Sequence, residues 1–404
     1  MTTNSDIQSM NPFDKFAVLH IVDSLAFGGT QTILKTLLES QTDNPAIFLL
    51  ALRETDRQTS INHPNVHVLS SRSRFSPLPI GYILNLVKAH QIKILHCHLF
   101  RSEVFGYLAA RLLRVHGIKL VFHDHGSAFA MESGSRLERF AFCCFHVLAA
   151  PRVDLHIAIS QFIQRSLMAL THQRMHNSAV LYNPIRKMVF QNQVLPEYRA
   201  QLQETWGIPP GRFVVGIASR IVQRKGWRDF LLAVSLLAQE IPLFFLVAGD
   251  GPEFACLQSE IASKNLLESG RLLGYVENIV DFYATLDCFV IPSLWEPAGL
   301  SHLEAQYFAV PVVACNIPGL NETVQDLTNC LLCRPNDSQD MADKIRLLAT
   351  DLDLRERIGR SGQQNARRFS IEIYIQQLEV LYSSLLKDSI NANVLGRNES
   401  ENLL

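Results

Sequence analysis

Short apolar runs alternate along the chain with stretches whose apolar residues recur at helical spacing. The run FAVLHIV (residues 16–22) leads through DSLAFGGTQ into TQTILKTLLESQ, where Ile33, Leu34, Leu37 and Leu38 share one face. AIFLLAL and VHVLS read as strands, GYILNLVKAHQ as a helix, and IKILHCHLF and IKLVFHDHG as strands on either side of a helical SEVFGYLAARLLRVHG. A polar region, 186–211, ends in GIPPG and interrupts the pattern. FVVGIAS, the loop RIVQRKG, the helix WRDFLLAVSLLAQE and the strand PLFFLVAG then restart it. Alternation of this kind implies mostly parallel sheets covered by helices. With 404 residues, more than one core is expected. The chain therefore predicts an α/β protein of two doubly wound domains, at 16–190 and 205–370, facing across a cleft. Residues 371–388 read as a further helix and 389–404 as a polar tail.

The second half is organised around IPSLWEPAGLSHLEAQYFAVPVVACNIPGLNETVQD, residues 291–326. The apolar LDCFVI runs into a loop bearing Glu296, Pro297 and Gly299, then a helix bearing Glu304, the strand VPVVAC and a second glycine loop, IPGLNE. In such a β-α-β unit the crevice at the strands' carboxyl ends receives ligands. Amides at a helix start favour an anion, and carboxylates accept hydroxyl protons. A nucleotide-sugar offers both groups. Arg220 and Lys225 follow FVVGIAS at the same end of the sheet, where two cations would neutralise a diphosphate. The competing reading is a pair of solvated charges, as the neighbouring Arg224 illustrates. Ser301-His302-Leu303-Glu304 also spells a capping box, which gives Glu304 a structural use that Glu296 lacks. Glu322 reads as a carboxylate at a helix start.

Other residues change the picture less. Gly28-Gly29 permits a tight turn and a close backbone approach to a ligand. The spacing is not G-x-G-x-x-G, and no acidic residue follows at a ribose position, which disfavours a dinucleotide enzyme. His96, His98, His123 and His125 end two strands, and each pair falls on one face with Asp124 opposite. A metal would need at least three convergent ligands, which neighbouring strands could supply only in the right register. His125, with Gly126 beside it, is the better contact for a reacting group; no metal and no cofactor are expected. Cys330 and Cys333 have leucine neighbours and no second pair, and Asp351-Leu352-Asp353 reads as solvated surface.

The net charge of -1 hides an asymmetry. Residues 1–200 carry 20 Lys+Arg against 13 Asp+Glu, and the remainder 17 against 25. A basic half suits an anionic membrane surface, released by salt. No basic tract stands beside aromatic platforms, so nucleic acid is not an expected partner. The first residues lack the pattern of a secretory signal, and the cysteines sit in apolar surroundings as thiols do in reducing compartments. The expected location is cytoplasmic, with peripheral contact at the inner face of the membrane.

SRIVQRKG (219–226), GDGPE (249–253), EPAGLSHLE (296–304) and PVVACNIPGLNETV (311–324), in this order and spacing, resemble the retaining glycosyltransferases of family 4, also called group 1. The resemblance covers roughly residues 16–388. It implies the GT-B arrangement of two Rossmann-like domains, the first for the acceptor and the second for the donor. It implies that Glu296, the first glutamate of the E-x7-E motif, contacts donor sugar hydroxyls and that Glu304 holds the ribose. Arg220 and Lys225 would hold the diphosphate with amides near Gly299 and Leu300. Gly28 and Gly29 would lie beneath the donor phosphates, and His125 at the reacting sugar. SIEIYIQQLEVLYSSLL resembles a terminal helix that packs back toward the first domain. Ala298 stands where an aromatic is common, and Ala309 and Ser219 replace glycines. The expected reaction is metal-independent transfer of a hexosyl group from a nucleotide-diphosphate sugar to a saccharide acceptor, lipid-linked in the reading that suits the basic half, in glycan or lipopolysaccharide biosynthesis. Alternatives are a nucleotide-sugar epimerase of GT-B-like fold and a non-catalytic nucleotide-sugar-binding protein.

Overall fold

A computed structural model of the chain describes residues 16–26, 28–55, 59–70, 78–113, 117–126, 135–185 and 196–398. Strand β1 (Ala17–Val22) shows why the apolar runs are nearly unbroken: Val18, Leu19, Ile21 and Val22 are all fully buried, so both faces of the strand are covered. That is the environment of a parallel sheet between two helical layers.

The chain divides into two compact units, one running to Pro184 and resuming at Ile371, the other Ile185–Ser370. In the first, β1 is joined by β2 (Ile47–Ala51), β3 (Val66–Val68), β4 (Ile92–His98), β5 (Lys119–Asp124), β6 (Leu155–Ala158) and β7 (Ser178–Val180). Its sheet is parallel in the order β3-β2-β1-β4-β5-β6-β7. Helices α1 (Gly29–Glu39), α2 (Leu78–His90), α3 (Phe100–Leu112), α4 (Arg136–Ala149) and α5 (Gln161–Leu170) connect the strands.

The second unit begins with α6 (Pro196–Thr205), inside the stretch read from sequence as a boundary. Its strands β8 (Phe213–Ala218), β9 (Leu243–Ala248), β10 (Gly270–Gly274), β11 (Cys288–Ile291), β12 (Val312–Cys315) and β13 (Leu331–Cys333) form a parallel sheet ordered β10-β9-β8-β11-β12-β13. Helices α7 (Trp227–Leu237), α8 (Phe254–Ser263), α9 (Ile279–Thr285), α10 (Ser301–Tyr307), α11 (Ser338–Thr350) and α12 (Leu352–Ala366) cover it. Trp227, Phe230, Phe244, Phe245, Phe282 and Phe289 dominate its core. Both sheets reverse their winding direction once, between β1 and β4 and between β8 and β11. Those reversals are the switch points at which open α/β sheets receive ligands.

Several local expectations change. Helix α13 (Ile371–Asn398) continues through residues that had read as a polar tail. Glu322 lies in a turn and opens no helix. Asp351 is the N-cap of α12, its carboxylate accepting from the Leu354 amide at 2.9 Å. Cys330 and Cys333 are buried free thiols at the last strand, with the Cys333 sulfur 3.9 Å from that of Cys315, which is core packing rather than a metal clip. Ala309 takes φ 57° where its family resemblance has glycine, a left-handed conformation that costs an L-residue about 1–2 kcal/mol. Among the described residues no helix is long and apolar enough to cross a membrane.

Candidate active site

The loop after β11 is held between two glycines. Gly226 has φ 67°, and a Cβ there would lie 1.8 Å from the Pro292 carbonyl oxygen. Gly319, at φ 85°, would place its Cβ 2.6 Å from the carbonyl oxygens of Glu296 and Pro297. Only glycine lets the loops after β8 and β12 close on the β11 loop this tightly. A backbone bond from the Leu294 amide to the Arg224 carbonyl, 2.9 Å, pins the same junction.

The sequence separates Lys225 and Glu296 by 71 residues, and this packing brings them into a direct ion pair across the β8–β11 switch point. Both side chains are partly buried. Arg220 is exposed on the same loop and its guanidinium has no partner among the described residues. Arg224 instead lies over the Trp295 ring at 5.5 Å.

Helix α10 starts one residue before the capping box requires. Leu300 is the N-cap and Ser301 the first helical residue, with no side-chain cap. Gly299, at φ 63°, ends the loop at that point. The half-buried Glu304 is therefore the fourth helical residue, one past the position a capping box uses; its carboxylate accepts a 3.0 Å bond from the Tyr283 hydroxyl, which also reaches the Ser301 carbonyl at 3.2 Å. A formed capping box does exist elsewhere, at Ser135 and Glu138 before α4.

Sequence reasoning quoted GDGPE and gave its glutamate no role. Glu253 accepts from the Gln223 amide at 2.9 Å and from Trp227 Nε1 at 2.9 Å, bracketing the turn that carries Lys225. It fixes the cation loop from behind; the glutamate closing that motif was the signal.

In the first unit the four strand-end histidines do converge, and a fifth, His20 of β1, joins them. Register explains it: His20 pairs with His96, and His98 with His123. His20 Nδ1 meets His98 Nε2 at 3.0 Å, His98 Nδ1 meets His125 Nε2 at 3.0 Å, and His96 Nε2 meets His123 Nδ1 at 3.2 Å. The Tyr382 hydroxyl of α13 bonds His96 Nδ1. Burial holds His96, His98 and His123 well below the usual imidazole range, and His20 and His125 down to about 3, so the array is neutral at pH 7. Gly126 takes φ 95° after His125, its amide donating to the Asp124 carboxylate at 2.6 Å. Gly28 precedes α1 as its N-cap and Gly29 opens it, both exposed.

Residues 27–187 match the family model described as Glycosyltransferase Family 4, and residues 199–365 the one described as Glycosyl transferases group 1. The chain is a glycosyltransferase. Its two matches fall one on each unit. The enzyme is 24% identical over 318 residues to the N-acetyl-α-D-glucosaminyl L-malate synthase of Bacillus anthracis, covering 76% of this chain and 79% of that protein. It is 25% identical over 324 residues to the putative glycosyltransferase EpsD of Bacillus subtilis, covering 78% and 83%. The glycosyltransferase also superposes on Anabaena HepE, solved with UDP and glucose, with a TM-score of 0.76 at 22% identity, over 91% of this chain and 100% of that one. Its fold is GT-B-like.

Proposed function

We propose that this glycosyltransferase moves a hexosyl group, with retention, from a nucleotide-diphosphate sugar to a saccharide acceptor. The observation that carries the reading is the meeting of Lys225 with Glu296 at the β8–β11 switch point, with Arg220 exposed on the same loop and its guanidinium without a partner among the described residues. Arg220 and Lys225 take the diphosphate, together with the amides of Gly299 and Leu300. Glu296 takes donor sugar hydroxyls, and Glu304, held by Tyr283, takes the ribose. The pairing of Glu296 with Lys225 also lowers the repulsion a bare carboxylate would exert on an arriving diphosphate. The bond from the anomeric carbon to the phosphate oxygen breaks while the acceptor oxygen bonds the same face of that carbon. The departing phosphate oxygen takes the acceptor's proton, and the two cations stabilise the charge as it develops. Donors bound in excess chelator, as UDP-, GDP- or ADP-sugars, should raise the melting temperature. Arg220→Ala should weaken nucleoside-diphosphate binding by about 10- to 100-fold, since a hydrogen bond to a charged group is worth roughly 1.5–3 kcal/mol, and leave the nucleoside alone unaffected. Equal loss for both ligands would remove Arg220 from the diphosphate site. Gly28, Gly29 and His125 carry the roles their resemblance implies.

The acceptor is proposed to be lipid-linked, with the enzyme peripheral at an anionic membrane face. Helix α4 supports this beyond the charge balance. Leu137, Phe140 and Leu148 are 76%, 66% and 63% exposed, and Leu112 on α3 is 62% exposed. Arg111, Arg136 and Arg139, each next in sequence to one of these residues, are exposed, as is Arg152 beyond Leu148. Exposed apolar side chains interspersed with arginines insert at a lipid interface, so salt alone should not release the protein completely. Anionic vesicles should bind the protein at low salt and retain part of it at 1 M salt. Leu137→Ser with Phe140→Ser should cut binding by at least about tenfold, as each such side chain buries about 1.5–3 kcal/mol. A protein that ignores anionic vesicles at low salt would end this part of the reading.

A further inference from the structure

Five histidines stand together at the carboxyl ends of β1, β4 and β5, and the transfer reading uses only one of them. Three can converge on a single point: one ring nitrogen from each of His98, His123 and His125 lies within 4.8 Å of the other two. His123 Nε2 is a buried atom without a hydrogen-bond partner among the described residues. Buried nitrogens left in this state are costly unless something completes them.

We infer that His98, His123 and His125 bind a divalent transition metal, zinc being the best chemical match, and that His20 and His96 orient two of these ligands from behind. The proton inventory supports it. A metal on His98 Nδ1 and His123 Nε2 obliges each ring to carry its proton on the other nitrogen. His98 Nε2 then donates to His20 Nδ1, and His123 Nδ1 donates to His96 Nε2, along the 3.0 and 3.2 Å contacts present. His96 in turn has its Nδ1 proton for the Tyr382 oxygen. Ligand imidazoles whose second nitrogen is held in this way are oriented and made more basic.

Geometry and access favour this triad. His98 Nδ1 and His125 Nε2 are 3.0 Å apart. Tetrahedral zinc with bonds of about 2.0 Å needs ligand nitrogens roughly 3.3 Å apart, so an ion can replace the shared proton with little movement. The ring centres of His98 stand 5.3 Å from those of both His123 and His125, while His123 and His125 stack at 4.3 Å and must splay. A second grouping, His20 with His96 and His98, is wholly buried and offers no route in. Of the five histidines His125 alone is partly exposed, so an ion would enter from its side. An all-imidazole donor set suits zinc, copper or nickel and not magnesium or calcium, which require oxygen. Occupation would withdraw His125 from the donor sugar, so the ion is inhibitory and separate from the metal-independent transfer proposed above.

The test uses the full chain, stripped with chelator and dialysed, and reads metal alone. Titration with Zn²⁺ against a chromophoric chelator should show one tight equivalent. His125→Ala should weaken it by at least about 100-fold, and His96→Gln by about 10- to 100-fold, the usual effect of losing an orienting partner. Co²⁺ should give intense tetrahedral ligand-field bands in the parent and none in His125→Ala. Circular dichroism confirms that each variant is folded, and the partly exposed His125 is the mildest position to change. Failure of the folded parent to take up one equivalent overturns the site, as does uptake unchanged in His125→Ala. Because no substrate is present, the outcome is independent of whether the donor-site reading holds.

Discussion

Glu296→Gln should melt at the temperature of the parent, bind free nucleoside diphosphate at least as well, and transfer sugar about 100- to 1,000-fold more slowly. The size follows from removing one preorganised polar contact to the reacting group, which typically costs about 2.7–4 kcal/mol in the barrier. The unchanged melting temperature follows from the loop's own construction. Its conformation is set by the close approach of Gly226 to Pro292 and of Gly319 to the Glu296 and Pro297 carbonyls, none of which involves the carboxylate. Diphosphate affinity should hold or rise, because the amide releases Lys225 from its ion pair and leaves its charge for the phosphates. Glu304→Gln makes the contrast. Its amide oxygen still accepts from Tyr283, so stability should be kept while nucleotide affinity, not the transfer step, bears the loss. Melting temperature, diphosphate affinity and transfer rate, measured on both variants, separate the two glutamates. A full transfer rate with unaltered sugar preference in Glu296→Gln would deprive the proposed mechanism of its central residue.

What the sequence made legible was local. The strand–loop–helix order around 291–326 is written in its apolar runs, and β11, α10 and β12 lie where those runs place them. The end of a strand at which Arg220, Lys225 and Glu296 gather also follows from order along the chain, since in a parallel sheet every carboxyl end faces the same way. Pairing between distant residues was not legible. His20 lies inside the apolar run FAVLHIV, where nothing local marks it as a site residue. It enters the histidine array because β4, distant in sequence, flanks β1 on the side away from β2, in a register that sets His20 against His96. The supposed cap at Glu304 failed by one residue, because the left-handed Gly299 ends its loop at Leu300 and moves Ser301 into the helix. The spelling S-x-x-E was present; the backbone geometry that makes it a cap was not. Helix α4 escaped a clear assignment for a different reason. In RLERFAFCCFHVLA the exposed apolar residues Leu137, Phe140 and Leu148 stand among the buried Phe142, His146 and Ala149, so composition alone does not tell which face is covered.

Acid should unfold the first unit well before the second. His20, His96, His98 and His123 are at most 1% exposed, and burial lowers the pKa of each, His20 down to about 3. The unfolded chain binds protons at these positions as the pH drops through about 6.5, while the folded unit refuses them. Stability is therefore fully present above 6.5 and is lost as the pH falls from there toward the folded values. Each such group contributes up to about 1.4 kcal/mol per pH unit, against a typical domain stability of about 5–15 kcal/mol. His146 and His156, lowered by burial to about 3 and about 4, add to the slope. In the second unit only His302 is lowered in this way among the described residues, so its dependence should be shallow. The three tryptophans, Trp206, Trp227 and Trp295, all lie in that second unit, which makes the two transitions separable. Far-ultraviolet circular dichroism should lose a large part of its helical signal between pH 6 and 4.5 while tryptophan fluorescence keeps its native maximum. His96→Gln, which cannot be protonated, should fold with a shallower pH slope if the array is the cause. A helical signal held intact to pH 4 would mean that the histidines accept protons in place, and their burial would then have no bearing on stability.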